Sequence, residues 1–205
     1  MLKTERMDRV RAALRAQGLT QMIVCDPKSV WYLTGVAVEP YERLLALYLP
    51  TEGEPVLFLN RLFNVPEPPC RTVWHTDTDK PVAQIAEVVD AGRPLGIDKE
   101  WPAKFLIPLM ETHPGMQVVL SSDCVDDCRA CKDAEEQALM REASRINDAV
   151  NEAAKHYIKA GMTEREVAEF IDAQFRAHGC EGPSFTTIVS FGANAADPHH
   201  EPDDT

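Results

Sequence analysis

Towards the end of the sequence His199, His200 and Glu201 stand in a row behind the loop-forming residues Gly192, Asn194 and Pro198. A loop that presents an imidazole can stabilise developing charge or carry a proton near neutral pH. The same residues also suit an exposed loop histidine in an acidic tail. Read as a metal cluster the row is unfavourable, because adjacent loop residues rarely converge on one centre. Phe185 opens the β-prone run 185–191 that leads into this loop, and it either fills a core or walls a pocket. Cys124, Cys128 and Cys131 have the spacing C-x₃-C-x₂-C, in which three thiolates could hold an iron–sulfur cluster with one iron open. Against that, the triplet follows more than half of the chain, and no glycine-rich segment for a nucleoside cofactor stands beside it. The pairs Asp126-Asp127 and Asp203-Asp204 look like paired carboxylates but suit turns and helix caps better.

Composition narrows the choices. The 205 residues carry a net charge of −12 and are 44% hydrophobic. That is enough for one large domain, or one domain and part of another. No basic stripe is present to neutralise phosphates, which argues against nucleic acid as a partner. No apolar run reaches membrane-spanning length, and residues 4–15 are too charged for a signal peptide. Six cysteines without an export signal read as reduced thiols, and the protein is expected in the cytoplasm.

Such groups need elements to hold them. Residues 4–17 place Met7, Val10 and Leu14 at helical spacing before Gly18. Residues 22–25 form a short apolar strand, and 29–33 a short helix stopped by Gly35. Residues 44–49 and 56–59 are strands joined by turn chemistry, hence a hairpin. Helices over 81–91 and 102–110 alternate with strands over 95–98 and 116–120, which describes an α/β layer domain. The pattern then changes. Asp133 with Glu136, and Thr163 with Glu166, are two capping boxes. The first opens a long helix with Leu139, Ala143, Ile146, Val150, Ala153 and Tyr157 along one face. The second opens a helix with Val167, Ile171 and Phe175, stopped by Gly179. Residues 185–191 are expected to be a strand. Two amphipathic helices with one strand cannot bury both stripes, so this region reads as the front of a longer α+β domain. The boundary is placed between residues 127 and 128.

These pieces, in this order, resemble a known family. Trp31-Tyr32-Leu33-Thr34-Gly35 and the hairpin after it fit the first domain. Arg129-Ala130-Cys131-Lys132-Asp133-Ala134-Glu135-Glu136 and Met140-Arg141-Glu142-Ala143 fit the boundary. Gly161-Met162-Thr163-Glu164-Arg165-Glu166, Gly182-Pro183-Ser184-Phe185 and the stretch from Gly192 to Pro202 complete the match. The sequence resembles the two-domain "pita-bread" peptidases, namely prolidase (Xaa-Pro dipeptidase) and aminopeptidase P, with creatinase as a metal-free relative.

The resemblance implies a fold: an α/β creatinase-type N-terminal domain, residues 1–127, followed by the first part of an α+β pita-bread catalytic domain, residues 128–205. It also implies a reaction. Two divalent metal ions (Mn, Co or Zn) would activate a water that hydrolyses the peptide bond before proline. Their ligands, two Asp, one His and two Glu, are expected beyond Thr205, so no metal ligand is assigned here and the isolated chain is expected to be inactive. By resemblance His199 is the catalytic and substrate-binding histidine, and Phe185 helps wall the substrate pocket. His200 falls where relatives often carry Gly and is read as a bystander. Cys128 and Cys131 fall where relatives carry apolar side chains and are read as small hydrophobes. A proline-containing dipeptide or peptide and a second copy of the chain are the implied partners. Two rival readings are a creatinase-like, metal-free C–N hydrolase and a non-catalytic dimerisation fragment.

Overall fold

The computed structural model describes residues 2–205, which divide into two compact units, Met1–Cys131 and Lys132–Thr205.

The first unit is a mixed six-stranded sheet with helices on both faces. Its strands are β1 (Gln21–Val24), β2 (Ala46–Pro50), β3 (Val56–Asn60), β4 (Arg71–His75), β5 (Leu95–Ile97) and β6 (Val118–Leu120). Their order across the sheet is β4-β3-β2-β1-β5-β6. The β2–β3 hairpin is antiparallel, pairing Leu47 with Leu57, and β2 also runs antiparallel to β1. The contacts β1–β5, β5–β6 and β3–β4 are parallel. The three central strands are apolar on both faces because both faces are covered. Period-two alternation sorts their side chains. Met22, Val24, Leu47, Leu49, Leu57 and Leu59 point to one layer, where α1 (Thr4–Ala16), α2 (Pro27–Thr34) and α5 (Asp123–Ala130) lie. Ile23, Ala46, Tyr48, Val56 and Phe58 point to the other, where α3 (Pro81–Ala86) and α4 (Ala103–Thr112) supply Ile85, Ala86 and Leu109.

Two glycines in this unit have a steric reason. Gly35 closes α2 at φ 76°, with its N–H on the Trp31 carbonyl, a left-handed cap that glycine adopts without strain. At Gly96 a Cβ would come within 2.5 Å of the Ser121 hydroxyl and 3.2 Å of the Gln21 carbonyl on β1, so a side chain there would make its neighbours shift.

Three local outcomes differ from the sequence-based expectations. β4 was not anticipated, because it is a half-exposed strand of mixed polarity that borrows its order from β3. Helix α5 forms across Asp126 and Asp127, where turns or caps were expected, and buries Cys124 and Val125 in the first unit's core. Residues 185–191 form no strand, since no neighbouring strand is present among the described residues to complete a ladder.

The second unit pairs α6 (Ala134–Tyr157) with α7 (Glu164–Ala177). Both capping boxes form: Asp133 accepts from the Glu136 amide, and Thr163 accepts from that of Glu166. Tyr157 stacks on Phe170 with ring centroids 3.8 Å apart. A 3-10 turn over Gly192–Ala196 leads into the closing loop. No described helix is long and apolar enough to cross a membrane.

Candidate functional site

The loop from Phe191 to Asp203 is tied to the start of α7. Thr163 and Glu166 cap that helix reciprocally, which leaves the Glu164 side chain free for other work. Glu164 is 0% exposed, unusual for a carboxylate at a helix N-terminus. Its Oε1 accepts the Phe191 amide N–H at 2.6 Å and the Asn194 side-chain amide at 3.1 Å. Its Oε2 accepts His200 Nε2 at 2.7 Å and the Asp203 amide N–H at 3.2 Å. Burial by itself would raise this carboxyl. The amides of Phe191 and Asp203, then His200 and Asn194, outweigh burial and hold it down to about 2. Because the carboxylate is ionised, Nε2 of His200 carries the proton that points at it. Backbone bonds add to the tie: the N–H of Glu164 donates to the Thr205 carbonyl at 3.0 Å and that of Arg165 to the Asp203 carbonyl at 3.1 Å. Arg165 also pairs with Asp204 at 2.9 Å.

His199 sits inside this anchored loop with its side chain exposed. Its backbone N–H donates to the Asp197 carboxylate at 2.9 Å, a local turn that turns the residue outward. His200, expected to be a bystander, is the imidazole that points inward; its side chain is 17% exposed. Phe185 is 70% exposed on the segment that precedes the loop, and among the described residues it shares no hydrogen bond or ring contact with His199. Sequence reasoning passed over Glu164 because an acid in the first turn of a helix usually serves the helix dipole. The available signal was Glu166, which already completes the capping box and makes Glu164 redundant for that duty.

Glu164, His200 and Asp203 offer ligand atoms within 4.8 Å of one another, the one such group among the described residues. They do not suit a resident metal ion. Both Glu164 oxygens already take N–H donors, and a cation would have to displace them. The cysteine triplet is no better placed for iron. Cys124 and Cys128 lie along the first unit's core, and burial raises both thiols, Cys124 to about 11, which opposes the thiolate form a cluster requires. In the first unit, His75 is a satisfied core group: its Nε2 lies 3.1 Å from the Leu44 carbonyl and its Nδ1 faces Asn60.

Comparison with known proteins agrees with this architecture. Residues 6–131 match the creatinase/prolidase N-terminal domain, and residues 138–205 match metallopeptidase family M24. An uncharacterized peptidase of Staphylococcus aureus is 31% identical over 192 residues, which is 88% of this chain and 52% of that protein. One from Staphylococcus epidermidis is 27% identical over 199 residues, covering 95% and 56%. Among solved structures, dipeptidase PepE from Mycobacterium ulcerans superposes with a TM-score of 0.87 at 28% identity, over 98% of this chain and 56% of that one. The prolidase from Thermococcus sibiricus gives 0.86 at 26% identity, over 100% and 58%. This chain thus spans about half the length of the curated relatives it matches. With both of its segments accounted for in order, the chain belongs to the creatinase/prolidase group of the M24 metallopeptidases.

Proposed function

We propose that this chain carries the front part of an Xaa-Pro peptidase of the prolidase or aminopeptidase P type, with His199 as its substrate-facing histidine. The observation that carries the reading is an exposed imidazole on a loop tied down on both sides. Such a ring can donate a hydrogen bond to a peptide carbonyl oxygen as that carbon becomes tetrahedral, and the fixed loop reduces reorganisation at that moment. Phe185, exposed on the segment before it, is available to wall an apolar substrate such as proline. Similarity to solved dipeptidases and a prolidase supports the substrate class. In this reading two divalent metal ions supply the Lewis acidity for water attack. The residues of this chain contribute substrate contacts instead, since their best candidate carboxylate is already engaged.

The test compares two proteins on Ala-Pro with added Mn²⁺. The 205-residue chain is expected to show no turnover. The whole protein is expected to turn over, to stop with a strong chelator, and to lose on the order of 10²–10³-fold in kcat on His199→Ala. Turnover that survives the chelator would replace this reading with creatinase-like chemistry. Turnover by the 205-residue chain would overturn the assignment of its residues to substrate contacts only. The same reading carries a cytoplasmic homodimer, which light scattering on the whole protein checks.

A further inference from the structure

Glu164 has a chemical identity that helix capping does not explain. Thr163 and Glu166 complete the cap without it. Yet Glu164 is the buried acid, and its two oxygens divide their work by position in the chain. Oε1 holds the limb entering the loop, through Phe191 and Asn194. Oε2 holds the limb leaving it, through His200 and Asp203. His199 lies between the two limbs, and its own backbone is turned by Asp197.

We propose that Glu164 is the positioning residue for His199, one carboxylate bridging both limbs of the loop so that the imidazole is presented in a single direction. The inference rests on the reading of His199 given above. Hydrogen bonds to an ionised acceptor are shorter and about twice as strong as neutral ones, and four of them converge here from four residues of the loop. A working group must be held to within roughly 0.5 Å by neighbours that are themselves fixed. An exposed loop lacks the packing to do that, and a buried anion bridging its two ends supplies the restraint. The inward turn of His200 belongs to the same device: its ring fills the Oε2 side and leaves His199 as the outward imidazole.

Amide hydrogen exchange on the 205-residue chain tests the anchor without substrate or metal. Glutamine keeps the shape of Glu164 but offers one acceptor oxygen and places an NH₂ where the other was. In Glu164→Gln the amide of Phe191, of Asp203, or of both is expected to exchange at least tenfold faster. The Ile171 amide, inside α7, stays within threefold of its original rate. In Glu164→Ala both loop amides speed up. Should that variant not fold, Asn194→Ala keeps the carboxylate, removes one donor, and is expected to release the Phe191 side more than the Asp203 side. Unchanged loop amides in Glu164→Gln, or equal acceleration at Ile171, would overturn the anchor. So would displacement of the His200 ring resonances by Zn²⁺ or Mn²⁺ at micromolar concentration, which would make the group a cation site. The link to His199 is read separately in the whole protein on Ala-Pro. Glu164→Gln is expected to lower kcat at least tenfold with KM within twofold. Retention of kcat within threefold would refute positioning. If the unaltered protein fails to cleave Ala-Pro at all, the functional reading falls while the exchange result still stands for the loop.

Discussion

At the scale of single residues, Glu164 reverses the usual consequence of burying a carboxylate. Removal from water favours the neutral acid, but four N–H donors aimed at two oxygens favour the anion more strongly. The pH dependence has a definite sign. A carboxyl whose folded-state pKa lies at about 2, below its ordinary 4.5, stabilises the fold fully above pH 4.5. That contribution disappears as the pH falls from there through the folded value. The titratable and charged neighbours on the packed elements are His200, Asp203, Arg165 and Asp204, and the last two pair with each other. The midpoint for melting of α6 and α7 is therefore expected to fall between pH 5 and pH 2 in the unaltered chain. Glu164→Gln should start lower and fall less, so that the two curves converge near pH 2. A constant gap between them, followed by circular dichroism, would show that ionisation of Glu164 contributes nothing.

Elements show where the sequence was readable and where it was not. The two capping boxes were legible because they are short-range: four consecutive residues satisfy one another's backbone groups whatever lies further away. The helices other than α5 and the β2–β3 hairpin were legible for the same local reason. Strand β4 and the segment 185–191 went wrong in opposite directions, through one cause. A strand exists only with a neighbour. Arg71–His75 is short and of mixed polarity but lies beside β3, whereas 185–191 is longer and more β-prone yet has no partner among the described residues. The histidine loop was legible as a loop, but which imidazole turned inward depended on Glu164, 36 residues away from His200. Removing a cap tests the local part of this account. Thr163→Ala should cost about 1 kcal/mol, seen as a lower denaturant midpoint for the second unit, with the first unit's tryptophan signal unmoved. The same substitution removes the Thr163 hydroxyl that accepts the Glu166 amide N–H, keeps the Thr163 N–H on the Glu166 carboxylate, and leaves all four donors to Glu164 in place. Loop exchange at Phe191 should then change far less than in Glu164→Gln, which separates capping from anchoring.

For the whole molecule, the distribution of buried apolar side chains predicts unequal stability. Among the described residues the second unit contributes only Val150, Ala154 and Val167 to the buried apolar set, and all the others belong to the first unit. Each large apolar side chain taken from water is worth roughly 1.5–3 kcal/mol, so the first unit holds nearly all of this term. On α6, Leu139 at the start of the expected stripe is 66% exposed while Val150 further along it is buried, so the stripe is filled only in part; Met140 beside it is 56% exposed. Trp31, Trp74 and Trp101 all lie in the first unit, while the longest helices lie in the second. Tryptophan fluorescence therefore reports one unit, and ellipticity at 222 nm is weighted towards the other. In guanidinium the ellipticity should begin to fall at lower denaturant than the fluorescence, giving two separated midpoints. Coincident transitions would mean that the 205-residue chain unfolds as one cooperative body.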